Sequence, residues 1–341
     1  MELTTVWFIL IAVLWTGYFV LEGFDFGVGM LMPVLGRGEH GEVRKRVLLN
    51  TIGPVWDGNE VWLLTAGGAT FAAFPHWYAT MFSGLYLPLL IILVALIVRA
   101  LGFDYRGKVD DPTWRKRWDI AIFFGSAVPA LLWGVALTNV VMGVPINAAK
   151  EYTGNLFTLL NPVGLLGGLT VVALFLTHGA IFIALKTEGD IRIEARALAV
   201  KVGAAAAVLA VALLVTINVS TGSAGSWITA VVAAVALLAG LFAAFREREG
   251  WAFVGTFAAI AAAVATLFLA LFPDVMPSST NAAFSLTTTN ASSTAYTLTI
   301  MTWVAAIFTP IVLLYTSWTY WTFRRRIGTQ HIPAITVGAL H

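Results

Sequence analysis

Apolar blocks of about 20 residues recur along the chain, and they constrain the fold more than any other feature of the sequence. That is the length a helix needs to cross roughly 30 Å of hydrocarbon. The ten-residue alternation of outer-membrane barrels is not the pattern here, and helices are the other structure that satisfies every backbone polar group in lipid. Only 11% of the residues are charged, against roughly 25% in soluble domains. We therefore predict an all-α polytopic membrane protein.

Nine membrane-spanning helices are predicted, and the loops between them are too short to form a second domain. The chain, residues 1–341, is therefore expected to be one membrane-embedded domain. Its first apolar block is too long for a signal peptide and lacks a basic start, so we expect a retained helix. The predicted spans lie near residues 6–32, 50–73, 77–100, 118–143, 162–186, 199–219, 226–245, 250–272 and 296–322.

The distribution of basic residues predicts the orientation of the chain, because Lys and Arg collect in cytoplasmic loops. If the N-terminus is outside, every Lys and Arg except Lys150 falls on the inner side of the nine-span arrangement. An odd number of spans then places the C-terminus in the cytoplasm.

Two pairs of acidic residues interrupt the apolar blocks. Glu22 and Asp25 lie in the first predicted span, and Asp57 and Glu60 lie in the second. In each pair the two residues are three apart and share a helix face. A charged side chain near the middle of a bilayer costs at least about 2.5–3.5 kcal/mol on insertion scales, so embedded acids are interpreted first as functional residues.

The acids of the first four spans are all predicted to lie in the cytoplasmic half of the membrane. Asp25 is about eight residues, or about 12 Å, from the inner end of its span, and Asp57 is at a similar level on the next, antiparallel helix. Asp104 marks the inner end of the third span, and Asp119 marks the inner start of the fourth. Because burial favours the form of a carboxyl group that keeps its proton, this pattern predicts a proton-entry route from the cytoplasm.

A structural interpretation of the same acids stays open. They could pair with Arg99, Asn50 or Asn59, or cap helix ends, and so only hold helices together. For Asp104 this interpretation is as strong as the functional one, because Arg106 is close in sequence and the position is interfacial.

The sequence offers few ligands for a metal or a haem. Without cysteine there is no thiolate site and no Cys-attached haem. Among the histidines only His178 lies within a predicted span; the others are His40, His76, His331 and His341. A lone histidine in a membrane helix is more often hydrogen-bonded structure than a ligand, and methionine is mostly core filler. We predict no metal site in this chain, and its sequence shows no phosphate loop, nucleophile–base motif or basic–aromatic patch for nucleic acid.

Five ordered motifs carry a resemblance to a known family. They are GFDFGVG at 23–29, PVWDGNEVWL at 54–63, GFDYR at 102–106, TGNLFTLLNP at 153–162 and MPSST at 276–280. Together they extend across the predicted spans, and they resemble subunit II of the cytochrome bd quinol oxidases.

The resemblance implies an architecture and a set of partners. The nine helices would form two four-helix bundles plus one peripheral helix, paired by pseudo-twofold contacts with a homologous subunit I in the bacterial cell membrane. Subunit I would hold two b-type haems, a d-type haem and the quinol-oxidising loop, and very small accessory subunits attach in some members. Quinol and O2 would be the substrates of the complex. This chain would be free of haem, although some relatives hold a structural quinone, and a lipid is the other expected ligand.

The resemblance also gives the acids a purpose. Reducing O2 to water consumes protons, and taking them from the cytoplasm separates charge; each charge moved against 100 mV stores about 2.3 kcal/mol. Asp57 is the best candidate for a proton-path acid near the partner, Asp104 is a candidate mouth residue, and Asp25 is a buried structural or relay acid. Glu22 and Glu60 are weaker candidates. The predicted supporting residues are Trp56, Asn59 and Arg99, and no catalytic residue is expected in this chain.

Two other classes of function stay open. A proton-coupled secondary transporter would also carry embedded acids, but its helices are typically broken at mid-membrane in corresponding halves. Here Gly53 and Pro54 form the only comparable break beside an acid, and it lies toward one end of a span. A purely structural assembly subunit would use the same acids as hydrogen-bond partners between helices.

Overall fold

A computed structural model describes residues 2–332 as a bundle of α-helices with one short β-hairpin. The helices are α1 (Leu3–Leu35), α2 (Gly41–Ile52), α3 (Trp56–Ala73), α4 (Pro75–Gly84), α5 (Tyr86–Tyr105), α6 (Pro112–Met142), α7 (Leu156–Leu159), α8 (Pro162–Lys186), α9 (Gly189–Thr221), α10 (Ala224–Phe245), α11 (Glu249–Leu271) and α12 (Ala295–Thr322). The hairpin pairs β1 (Asp274–Met276) with β2 (Leu286–Thr287) in antiparallel fashion. His341 lies outside the described residues.

The prediction of an all-α membrane protein is confirmed. Within residues 2–332, eight helices are long and apolar enough to cross a membrane: α1, α5, α6, α8, α9, α10, α11 and α12. The predicted span at 50–73 corresponds mainly to α3, which is 18 residues long and is not among the eight. Polar residues in its first turns, Asp57, Asn59 and Glu60, explain why it is less apolar than the others.

Two of the predicted span ranges contain a break between helices in the structure. Residues 50–52 close α2, and a turn containing Gly53 and Pro54 separates them from α3. Pro54 has no N–H to donate to the carbonyl of Asn50, which interrupts the helical hydrogen bonds there. The predicted span at 77–100 is divided at Leu85 between α4 and α5. Pro88 has no N–H to donate to the carbonyl of Gly84, which removes a helical hydrogen bond and favours a break at this point.

Two other helices, α6 and α9, begin earlier in the sequence than predicted, at the ends that are predicted to lie on the inner side. The helix α6 begins at Pro112, because Asp111 accepts hydrogen bonds from the backbone N–H groups of Thr113 and Trp114 and proline suits the first helical position. The helix α9 begins at Gly189, ten residues before the predicted start.

The first helix is at the centre of the fold, where it packs against α3, α6, α8 and α11. Its close contact with α8 depends on glycine: a Cβ atom at Gly27 would clash with the backbone of Phe175 and Gly179. By contrast α12 is peripheral, and Leu298 is the one residue that it buries. At one end Trp7 Nε1 donates to Thr302 Oγ1 at 3.1 Å, which holds α12 against α1.

The loops gather at two ends of the bundle. At one end Val144 N donates to Pro277 O at 3.1 Å, and Lys150 Nζ donates to the carbonyl of Ala283 at 3.0 Å. At the other end Ile327 N donates to Lys186 O at 2.9 Å, which joins the segment after α12 to the α8–α9 turn. The two ends therefore separate Lys150 from the cluster of arginines that follows α12.

Candidate functional site

A buried arginine on α5 connects the first three long helices. The side chain of Arg99 has no solvent exposure. Its Nη2 donates to the carboxylate of Glu22 on α1 and, at 2.8 Å, to Oε1 of Glu60 on α3. Both acids that were predicted as weaker candidates are therefore the direct partners of Arg99. The structural interpretation allowed for an ion pair between Arg99 and an embedded acid. Arg99 pairs with two such acids, Glu22 and Glu60.

Aromatic rings surround the guanidinium of Arg99. Its Cζ lies 4.5 Å from the ring centroid of Phe26 and 5.4 Å from that of Phe103, which are cation–π distances. Trp56 packs on Phe103 with ring centroids 5.0 Å apart. The predicted supporting residue Trp56 thus acts through Phe103, and together these rings shield the charge on α5 from lipid and solvent.

A second set of hydrogen bonds lies next to the contacts of Arg99 and reaches the last helix. Asn59 Nδ2 donates to Asp25 Oδ2 at 2.7 Å, and Tyr320 on α12 donates from its hydroxyl to Asn59 Oδ1 at 2.8 Å. Asp25 is fully buried on α1. Tyr320 was not predicted, and no local signal links it to Asn59, which lies 261 positions earlier.

The cluster of Glu22, Asp25, Glu60 and Arg99, referred to here as the Arg99 cluster, is not balanced in charge or in hydrogen bonds. Three carboxyl groups face one guanidinium. Four buried atoms have no hydrogen-bond partner in the structure: Glu22 Oε2, Asp25 Oδ1, Arg99 Nε and Arg99 Nη1. Buried polar atoms are nearly always satisfied by protein or ordered water, and uncompensated buried charge is costly. The protein itself therefore leaves part of the hydrogen-bonding capacity of this cluster unfilled.

Asp57 and Asp104, two of the predicted path residues, are not part of this cluster. Asp57 is exposed in the first turn of α3, where its Oδ1 accepts a hydrogen bond from Gly58 N at 2.8 Å. A carboxylate at a helix N-terminus is stabilised by the helix dipole, as the structural interpretation anticipated. Asp104 is exposed on α5. Asp57 lies one turn before Glu60, whose side chain is 23% exposed, so the cluster reaches the surface of the chain at that point.

A separate ionic network lies at the end of the bundle that carries α2. Asp119 accepts from Lys45 Nζ at 2.8 Å and from Arg106 Nε at 2.5 Å. Both terminal nitrogens of Arg106 donate to the carboxylate of Glu42 at 2.8 Å. Burial alone would lower the pKa of Arg106, but the hydrogen bonds to Glu42 and Asp119 raise it above its ordinary value. Asp119 is thus part of a permanent ionic contact that holds α2, α5 and α6 together.

His178 is held by protein partners on both ring nitrogens. Its Nδ1 lies 2.7 Å from Thr256 Oγ1 and its Nε2 lies 3.2 Å from Val20 O, while its ring stacks on Phe253 at 4.8 Å. These contacts agree with the interpretation of His178 as a hydrogen-bonded structural residue. In residues 2–332 no group of three or more His, Asp or Glu side chains is placed to hold a metal ion.

Comparisons with known proteins agree with the resemblance in the motifs. A family model described as Cytochrome bd terminal oxidase subunit II matches residues 3–323. The chain is 44% identical over 332 residues to cytochrome bd ubiquinol oxidase subunit 2 of Bacillus subtilis (strain 168), which covers 96% of this chain and 97% of that protein. It is 40% identical over 370 residues to cytochrome bd-I ubiquinol oxidase subunit 2 of Escherichia coli (strain K12), covering 97% of each.

The fold also matches a solved structure, described as the structure of bd oxidase from Geobacillus thermodenitrificans. The TM-score is 0.77 at 18% sequence identity, over 94% of this chain and 97% of that chain. With its apolar helices, this multi-pass membrane protein belongs to the cytochrome bd terminal oxidase subunit II family, a family of subunits of a respiratory oxidase complex.

Proposed function

We propose that this chain is the haem-free subunit II of a cytochrome bd-type quinol:oxygen oxidoreductase in the bacterial cell membrane. In this proposal it pairs with a haem-bearing subunit I, stabilises it, and supplies part of the path by which cytoplasmic protons reach the site where O2 is reduced. The haems belong to the partner, the substrates are quinol and O2, and the pair has room for the very small accessory subunits that some family members carry. A quinone or lipid bound to this chain would have a structural role.

The proposed architecture is nine spans, with α3 as the ninth, arranged as two four-helix bundles and the peripheral α12. The N-terminus is outside and the C-terminus is cytoplasmic. The separation of Lys150 from the arginines after α12, at opposite ends of the bundle, supports this orientation because basic residues collect inside. Helices α3 and α12 both expose broad faces, which supports placing the partner there.

One observation carries the proton-path part of the proposal: two carboxyl groups pair with one guanidinium, and a third, that of Asp25, lies in the same buried cluster, which has four unpartnered polar atoms. Protons would enter near Asp104, which lies about 7.5 Å along α5 from Arg99. They would pass through the Arg99 cluster and leave by Glu60 and Asp57 toward the partner. Trp56, Asn59 and Arg99 would hold the acids in position.

Neutral substitutions in the cluster test this proposal in the complex purified with its partner. For Asp25→Asn and Glu22→Gln, we expect the visible haem spectrum to be retained while quinol-dependent O2 consumption falls about tenfold or more, the effect of adding about 1.4 kcal/mol to the barrier. Glu194→Gln removes a surface acid that pairs with Arg44 and serves as the matched control. Normal turnover in both cluster variants would contradict the proposal.

A purely structural assembly subunit is the second candidate, and the contacts of Asp57 favour it. That carboxylate is exposed, and it accepts a hydrogen bond from the backbone N–H of the next residue in its own helix. If Asp57→Asn assembles with full haem and turns over normally, Asp57 is structural and the path does not leave through it. The alternative of a proton-coupled secondary transporter predicts that the purified protein carries no haem-bearing partner, which a visible spectrum decides.

A further inference from the structure

A small, partly enclosed cavity of about 30 Å³ lies among α1, α4, α5, α6 and α11. Its wall is formed almost wholly by aromatic and aliphatic carbon, and includes Trp15, Trp77, Met81, Trp133, Ala136 and Leu137. The volume exceeds the roughly 10–15 Å³ needed for one water-sized sphere. The cavity is therefore large enough to hold one small molecule.

The chemistry of the wall disfavours water as the occupant. An internal water makes two to four hydrogen bonds. The indole N–H of Trp133 is already donated to Tyr18 at 3.2 Å, and Trp77 Nε1 is a buried donor without a partner. A cavity that offers so little hydrogen bonding stays dry and accepts apolar guests such as xenon.

This cavity shares lining residues with other apolar spaces. It shares Trp15, Met81 and Trp133 with a groove of about 460 Å³ that opens on the surface of α3 and α5. On its other side, Leu137 and Leu267 are shared with a second cavity of about 60 Å³.

That second cavity in turn shares Ala210 and Leu214 with a third of about 220 Å³ between α9, α10 and α11. A series of small apolar spaces thus crosses the protein between two of its outer faces.

We propose that the cavity beside Trp77 is a binding site for a small apolar gas molecule, and that the adjoining spaces are its route from the lipid. The site would take a molecule of the size of O2 or xenon. The identification of O2 as the natural occupant rests on the proposed function, since an oxygen-reducing complex draws O2 from the membrane.

Xenon tests the site without any reference to activity. The purified complex is pressurised with xenon and its structure is determined with and without the gas. We expect xenon density in the cavity beside Trp77. An ordered water within hydrogen-bond distance of Trp77 Nε1 that persists under xenon would overturn the proposal, and so would an empty cavity under xenon.

Two variants on α6 change the cavity in opposite directions. Ala136→Val adds carbon to the wall, and we expect it to abolish xenon density there. Leu137→Ala enlarges the space and joins it to the second cavity, and we expect more xenon. Ala127→Val is the matched control, because Ala127 lies on the same helix and lines none of these four spaces. Equal xenon occupancy in Ala136→Val and Ala127→Val would contradict the assignment.

A kinetic readout tests the identity of the gas separately. We expect Ala136→Val to raise the KM for O2 about threefold or more with kcat unchanged, while Ala127→Val leaves both unchanged. If xenon binds but the KM for O2 is unchanged in Ala136→Val, the cavity is a gas site that does not deliver O2. A complex without oxygen consumption would reject the proposed function, and the xenon result would still stand alone.

Discussion

The two halves of the protein handle buried polar groups in opposite ways. In the first half, α1, α3 and α5 enclose an arginine with three carboxyl groups. All of the buried side-chain atoms found without a hydrogen-bond partner in residues 2–332 lie before residue 100. In the second half, α8 to α11, the buried polar groups are neutral apart from Glu249 at the start of α11, and they are paired locally. Asn218 with Ser226 at 2.6 Å, and Thr266 with Thr229 at 2.9 Å, are examples.

The difference shows where the fold accepts an energetic cost. A buried group without a partner costs about 1–3 kcal/mol, and more when it is charged. In the second half no such cost is present within 162–271, and the helices approach closely on small residues such as Gly240 and Gly255. The first half keeps costly groups that packing alone does not require. We infer that the first half carries the chemistry and that the second half supplies rigidity.

The largest expected effect follows from removing the cation of the first half. In Arg99→Met, Glu22 and Glu60 lose their partner, and breaking such a buried pair costs about 3–5 kcal/mol. We expect a large drop in the unfolding midpoint of the purified complex at neutral pH. The drop should shrink as the pH falls, because protonated glutamates no longer need a cation. Arg99→Lys keeps the charge but not the forked geometry and should be intermediate. A loss that does not depend on pH would contradict the charge argument.

The stability of the second half should depend on side-chain volume instead of charge. In Gly255→Ala the new Cβ would lie 2.5 Å from Gly240 Cα, so α10 and α11 must move apart. Overpacking of this kind costs about 1–3 kcal/mol. Gly250→Ala on the same helix meets no atom within 4 Å and is the matched control. Heat-denaturation curves of the two variants decide the point, and equal midpoints would contradict close packing in this half.

A smaller effect is expected at the contact between α12 and the Arg99 cluster. Tyr320→Phe removes the hydroxyl that donates to Asn59 Oδ1 and leaves that oxygen without this partner. The cost should be about 1 kcal/mol. Asn59 would also hold Asp25 less firmly, so we expect turnover to fall with a change in its pH profile. Tyr315→Phe, at an exposed tyrosine of the same helix, is the control. Identical pH profiles for both variants would show that α12 does not influence the cluster.

The smallest effect is expected for a neutral hydroxyl of the second half. Thr266→Val removes the contact with Thr229, but Thr229 also donates to the carbonyls of Gly225 and Ser226. Because nothing is left unsatisfied, the change in unfolding free energy should stay within about 0.5 kcal/mol. A cost close to that of Tyr320→Phe would remove the contrast between the two halves.

Much of the fold could be predicted from the sequence because it depends on length and polarity. Apolar blocks of helical length predict membrane helices directly, and the embedded acids Glu22, Asp25 and Glu60 marked the region of the site. The break at Leu85 is not evident from the sequence because Pro88 lies within a run, residues 85–98, that is otherwise apolar.

The arrangement of the site could not be predicted to the same degree. The direction in which a side chain faces depends on how helices rotate against one another, and this is why Asp57 is exposed while Glu60 contacts Arg99. The role of Tyr320 depends on a contact between the first and last parts of the chain. A single sequence holds no local signal for such a pair.

Proton uptake by the complex in sealed liposomes tests the central claim most directly. After a pulse of O2, proton consumption from the inner side and the resulting membrane potential are measured for the native complex and for Asp25→Asn with its haem content matched. The account predicts that uptake and potential fall in proportion to turnover in Asp25→Asn. Uptake and potential equal to those of the native complex would contradict the claim that the Arg99 cluster conducts protons.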